Sequence, residues 1–132
     1  MPTYVEIDRV TVKEVFDDKY KASLAKTAEQ AMQAAIKGKL TKDKPKDKTT
    51  RGYSLSLSVF MTLDEKSKKL AGKCEVLINF WPQKALHAKA SGSASTQVDP
   101  AKVDKGDVEA VMDAVMKQAV TTAVKHMEST TP

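Results

Sequence analysis

From Tyr53 the apolar residues fall on alternate positions: Tyr53, Leu55, Leu57, Val59, Met61 and Leu63. Ser54, Ser56, Ser58 and Thr62 lie between them. After the polar run 64–69 the alternation resumes as Leu70, Gly72, Cys74, Val76, Ile78 and Phe80, with Lys73, Glu75 and Asn79 facing the other way. Successive strand side chains point to opposite faces, so a period of two marks a strand with one buried side. The stretch from Tyr53 to Trp81 therefore predicts one long β-hairpin. Setting Leu63 against Leu70 pairs Met61 with Gly72, Val59 with Cys74, Leu57 with Val76 and Leu55 with Ile78. A slip of one residue would turn a whole apolar set to water, so this register is strongly specified.

The same period appears twice more. Over 3–16, Val5 and Ile7 share one parity and Val10 and Val12 the other; a bulge at Asp8-Arg9 would return all four to one face. The alternative is a strand ending at Ile7 and a second starting at Val10. From Ala85 to Thr96, Leu86, Ala88, Ala90, Gly92 and Ala94 alternate with His87, Lys89, Ser91, Ser93 and Ser95. The inward set is almost entirely small, which predicts the close approach of another element, the last helix.

Two segments carry the helical period instead. From Lys19 to Lys37, Tyr20, Leu24, Ala28, Ala31 and Ala35 form a stripe widened by Met32 and Ile36, with Asp17 and Asp18 at its start and Gly38 at its end. From Val108 to Met127, Val108, Val111, Met112, Val115, Ala119, Thr122 and Ala123 line one face, with Asp107 as the expected N-cap. Met116, Val120, Val124 and Met127 extend that stripe past half the circumference. Such a width needs the first helix, or a partner, as well as the sheet. The predicted order is β-α-β-β-β-α: an α+β two-layer sandwich, with a four-stranded, largely antiparallel sheet and two helices on one face. The place of the first strand in the sheet is left open by the pattern.

Composition adds limits. At 132 residues, 41 % apolar and 30 % charged, the chain has the length of a single α+β domain spanning 1–132. A solvated, mobile loop is expected over 39–51 and a frayed tail over 128–132. No apolar run approaches the ~20 residues of a transmembrane helix. The start lacks the basic and apolar regions of a signal peptide. The expected location is periplasmic if a leader precedes Pro2 in the native protein, and cytoplasmic otherwise. The lone Cys74 rules out an internal disulfide and sits on an inward parity, as a small buried hydrophobe does.

Net charge is +5, and it is localised. Between Lys37 and Arg51 stand Lys37, Lys39, Lys42, Lys44, Lys46, Lys48 and Arg51 against Asp43 and Asp47, which accounts for the whole excess. This basic loop is the one feature that suggests nucleic acid. It is lysine-rich, interleaved with aspartate and free of aromatics, whereas bidentate readout favours arginine and single-strand binding favours stacked rings. A solvated loop is the simpler reading.

Chemistry is sparse. His126 falls in a last helical turn and His87 on the polar side of a strand. With one inward cysteine they give no metal-ligand spacing. The carboxylate pairs Asp17-Asp18, Asp43-Asp47 and Asp64-Glu65 lie in turns or helix starts, without the apolar surround that raises a pKa for acid–base work. The glycines are isolated and build no phosphate cradle. The sequence therefore points to no catalytic, cofactor or metal residues. What remains is the outer sheet face, where Phe60, Leu77 and Trp81 point the same way as Ser54, Ser56, Ser58 and Asn79. Apolar groups on a serine-rich face mark a partner surface, unless the loop at 39–51 or the N-terminus covers them.

The segments from Tyr4 to Val12, Lys19 to Lys37, Tyr53 to Trp81, Leu86 to Thr96 and Val108 to Met127 follow an order that resembles small bacterial envelope accessory proteins. The lipopolysaccharide-assembly lipoprotein family and TolB-type N-terminal domains are examples. The resemblance is one of topology over most of the chain. It departs in lacking a lipobox cysteine and a signal peptide, and it transfers no residue role. It implies a non-enzymatic binding or assembly module of a bacterial envelope, acting on a protein partner or a second copy through a sheet face or edge. The alternatives are a nucleic-acid-associated protein using Lys42, Lys44, Lys46, Lys48 and Arg51, and a ligand-binding domain or enzyme with a pocket between sheet and helices.

Overall fold

The computed structural model describes residues 4–36, 52–81 and 85–128. The basic loop over 39–51 and the tail beyond 128 lie outside them. Four strands, β1 (Tyr4–Val15), β2 (Gly52–Asp64), β3 (Lys69–Trp81) and β4 (Leu86–Gln97), form one sheet in the order β1-β2-β3-β4. The helices α1 (Lys21–Ile36) and α2 (Lys105–Glu128) follow β1 and β4. The α+β class and the order β-α-β-β-β-α match the sequence reading. The open question of the first strand resolves as an edge: β1 pairs parallel to β2, while β2–β3 and β3–β4 are antiparallel. A parallel neighbour needs a crossover, which the α1 segment provides.

The hairpin register is the one read from the alternation: Leu63 faces Leu70, Val59 faces Cys74 and Leu55 faces Ile78. Its turn is tied by Asp64, whose Oδ1 accepts from the backbone N–H groups of Lys66 (3.0 Å) and Ser67 (3.3 Å). Those donors hold the Asp64 carboxyl below its ordinary range, Ser67 contributing most. The expected bulge in β1 is present. The register slips between Ile7 and Arg9, which leaves Ile7 opposite Leu55 and Val10 opposite Leu57 on one face. A second slip between Val12 and Glu14 brings Val15 opposite Met61 in the same way.

α1 buries Leu24, Ala28, Met32 and Ile36, a strict i, i+4 row preceded by Tyr20. Its entry is a 3₁₀ turn, Asp18–Tyr20, where the Asp17 side chain accepts from Lys19 N. α2 starts earlier than the expected Asp107. Asp104 Oδ1 accepts from Asp107 N (3.0 Å) and Asp107 Oδ2 from Asp104 N (3.2 Å). This reciprocal pair makes Asp104 the N-cap and Asp107 the third helical residue.

α2 lies on β4 and β3 and against α1, which accounts for the width of its apolar stripe. The small residues of β4 admit it closely. A Cβ at Gly92 would sit 2.6 Å from Ala119 N, and nearer still to the Val115 carbonyl oxygen. The space between the layers is filled by Leu24, Met32, Leu55, Met61, Met112 and Met116, each with 1 % exposure or less. Side chains of this size stabilise by about 1.5–3 kcal/mol each when fully buried. Cys74 joins them, and burial, with the Glu75 charge second, pushes its thiol up to about 12. It is inert by environment.

Candidate functional site

The outer face of the sheet carries the residues of opposite parity. β1 contributes Tyr4, Glu6, Arg9, Thr11 and Glu14, paired with Gly52, Ser54, Ser56, Ser58 and Phe60 of β2. Across β2, β3 contributes Trp81, Asn79, Leu77, Glu75 and Lys73. Phe60, Leu77 and Trp81 therefore share the face that their parity assigns. They do not form one cluster. Leu77 lies four residues from Trp81 and from Lys73, the partner of Phe60, which is about 13 Å either way along the strand.

Their exposures also differ. Leu77 is 36 % exposed, whereas Phe60 is half-buried and Trp81 keeps only 8 %. Trp81 is covered from the N-terminal side. Tyr4 and Trp81 flank Gly52 on its two neighbouring strands and meet above it edge to face, with ring centroids 4.8 Å apart. Gly52 is small because a Cβ there would lie 2.7 Å from Tyr4 O and 3.3 Å from Trp81 Cβ. Burial, then the Glu6 charge and a hydrogen bond to that carboxylate, raise the Tyr4 phenol above its ordinary value. In the pairs next to this aromatic bridge, Ser54 is fully buried between Glu6 and Asn79, and its hydroxyl makes no hydrogen bond. An orphaned buried hydroxyl costs about 1–3 kcal/mol.

The start of β4 departs from the alternation. The β3–β4 register slips where Ile78 faces Ala88 and Asn79 faces Leu86. The sequence reading put Leu86 inside and His87 outside, and the structure reverses both. Leu86 joins the outer face at 57 % exposure beside Asn79, near Leu77. His87 turns to the helix side, its ring 4.6 Å from Phe80 and 5.7 Å from Tyr53, with Nε2 3.5 Å from the His126 carbonyl. Tyr53 Oη donates to the Met127 carbonyl at 3.3 Å. Both contacts serve the last carbonyls of α2, which have no partner within the helix. Leu86 is the site residue that alternation missed; its only sequence trace was a large residue on an otherwise small row.

Charge on this face is balanced. Glu6, Glu14 and Glu75 are matched by Arg9, Lys73 and Lys89, with Lys73 and Glu75 paired at 3.0 Å. A balanced face exerts little pull on a polyanion. The basic residues Lys42, Lys44, Lys46, Lys48 and Arg51 lie outside the described residues. Among the described residues no cluster of His, Cys, Asp or Glu is placed to hold a metal. No helix among them is long and apolar enough to cross a membrane.

No protein-family model matches the chain, and no match was found among curated proteins. Solved structures do match. A dodecamer of PelC from Paraburkholderia phytofirmans superposes with a TM-score of 0.53 at 9 % identity, over 95 % of this chain and 86 % of that one. An uncharacterized protein superposes with a TM-score of 0.53 at 14 % identity, over 98 % and 94 %. A minor lipoprotein from Acinetobacter baumannii follows more loosely, with a TM-score of 0.43 at 14 % identity over 95 % of each chain. The topological resemblance drawn from the sequence is borne out as one of fold: the chain is similar in its trace to PelC.

Proposed function

We propose that this chain is a non-enzymatic binding or assembly module of a bacterial envelope, engaging a protein partner through the outer face of its sheet. The contact is centred on Leu77 and Leu86, with Trp81 as its rigid wall and Phe60 toward its far end. The observation that carries this reading is two exposed leucines on neighbouring strands, Leu86 opposite Asn79 and Leu77 two residues before it, on a charge-balanced, serine-rich face that also carries the aromatic pair over Gly52. Exposed apolar groups next to a rigid aromatic are the composition of an interface centre, and polar groups around them that of a rim. The resemblance in fold supports the envelope setting.

A photo-crosslinking side chain placed at 77 or 86 in the native host tests this. The expected result is one discrete protein adduct from both positions, lost when the other leucine is changed to aspartate. The control at Glu29, exposed on α1 and away from the outer face of the sheet, should give none. Equal labelling from all three positions, or none from 77 and 86, would refute the reading. Fractionation of the same cells tests the compartment, with the protein expected in the envelope fraction.

A further inference from the structure

The sheet has two edges, β1 and β4, and they differ. β1 slips register twice against β2 and exposes Asp8, Arg9, Lys13 and Glu14. Bulges and exposed charges are the usual means of keeping an edge from pairing with another strand. β4 lacks both over most of its length. From Ala88 to Gln97 it keeps one unbroken register against β3, contains no proline and carries Lys89 as its single charge.

The ladder fixes which backbone groups of this edge point away from the sheet. Val98 N–H donates to the Lys68 carbonyl at 2.9 Å. Hydrogen-bonded and non-hydrogen-bonded pairs alternate along an antiparallel ladder. In the unbroken register Ala90, Gly92 and Ala94 therefore exchange their bonds with β3, and Lys89, Ser91, Ser93 and Ser95 turn their N–H and C=O groups outward. One of these donors shows the direction directly. Ser93 N–H donates to Gln118 Oε1 of α2 at 3.2 Å, so a side chain stands where the carbonyl of a further strand would. The N–H groups of Lys89, Ser91 and Ser95 have no such partner among the described residues. All four side chains are exposed.

We propose that β4 pairs with the β4 of a second copy of this chain, antiparallel about a two-fold axis, joining two sheets into one of eight strands. A two-fold contact needs a surface complementary to itself. Pairing centred near Gly92 sets serine against serine and holds the two Lys89 side chains at opposite ends of the contact. Cross-strand hydroxyl pairs of this kind are favourable. A head-to-tail series would instead set β4 on β1, whose bulges and charges interrupt a ladder. The flank of α2 above the strand centre fits the same axis. Gln118, with Ala114 and Thr122 one turn to either side, is neutral and small enough for two such flanks to meet. The contact does not depend on the outer-face partner.

Sedimentation velocity of the full chain, up to millimolar concentration, tests the assembly, and amide hydrogen exchange tests its place. A dimer and no larger species is expected. In the dimer the Ser91 and Ser95 amides exchange slowly and lose that protection on dilution, while Ala90 and Ala94 stay protected throughout. Ser91→Pro removes an outward donor, twice by symmetry, and should weaken the dimer by roughly tenfold or more. Proline is tolerated where an edge N–H faces solvent, and circular dichroism checks that the variant is folded. Ser95→Lys keeps the backbone, adds an edge charge and should act in the same direction. Lys13→Glu, on the other edge, should leave the dimer as it is. A monomer at millimolar concentration, or an open series of larger species, would overturn the inference. So would fast exchange at Ser91 and Ser95 in the dimer, an undiminished dimer in both β4 variants, or dissociation by Lys13→Glu.

Discussion

Replacing Gly92 by alanine adds one methyl group at the closest approach of two layers. Gly92 has ordinary extended backbone, so it is present for space rather than for conformation. The new Cβ would lie 2.6 Å from Ala119 N and 3.0 Å from Gln118 Cβ, and would press on the Val115 carbonyl oxygen. Ordinary contact for such atoms begins near 3.5 Å, so α2 must lift or slide by most of an ångström. Two of these three neighbours are helix backbone and cannot rotate aside. Overpacking of this kind costs about 1–3 kcal/mol, and the stiffer unfolded chain returns only about 0.4–1 kcal/mol. The net expectation is a loss of about 1–2 kcal/mol. For a domain of this length that lowers Tm by roughly 3–10 °C.

Gly72→Ala is the internal control. Its Cβ would meet Val111 Cγ1 at 2.9 Å, Val115 Cγ2 at 3.0 Å and Met61 Cε at 3.1 Å. All three are side-chain ends, and the methionine can swing away, so its loss should be smaller, about 1 kcal/mol or less. Urea unfolding followed by far-UV circular dichroism gives both values if the slopes agree with that of the parent. A Gly92→Ala protein as stable as the parent, or more stable than Gly72→Ala, would show that α2 does not rest on β4 through its backbone.

Two further outcomes follow from the described geometry. Ser54→Ala removes the buried hydroxyl that has no partner and should raise stability by about 1 kcal/mol; a loss of that size in the same urea assay would mean that the hydroxyl is satisfied. Asp64 has a folded pKa below its ordinary value of 3.8, through Ser67 N–H first and Lys66 N–H second. Its stabilisation is therefore present above the ordinary value and lost as pH falls through the depressed one. The stability gap between the parent and Asp64→Asn should close on acidification below that range, and a gap independent of pH would contradict the turn geometry.

Local periodicity carried the sheet a long way. The hairpin register followed from matching apolar parities, and the β1 bulge from a change of parity at Asp8-Arg9. The small residues of β4 signalled a close helix because a row of alanine and glycine has no other use on a buried face. What stayed hidden depended on distant partners. A period of two says nothing about which strand lies beside β1. Nor could it show that Tyr4 reaches Trp81, since only the parallel pairing brings Tyr4 to Gly52. The slip at the start of β4 reversed Leu86 and His87 because His87 has an aromatic seat on Phe80 and Tyr53 that spacing does not reveal.

The aromatic bridge over Gly52 has a spectroscopic consequence. Trp81 is the one tryptophan of the chain, and the ring that meets it comes from the first strand, with β2 between them. Its emission therefore reports whether the first strand is docked, separately from whether the hairpin and meander are formed. A probe of β1 attachment is already present in the native sequence, without any label.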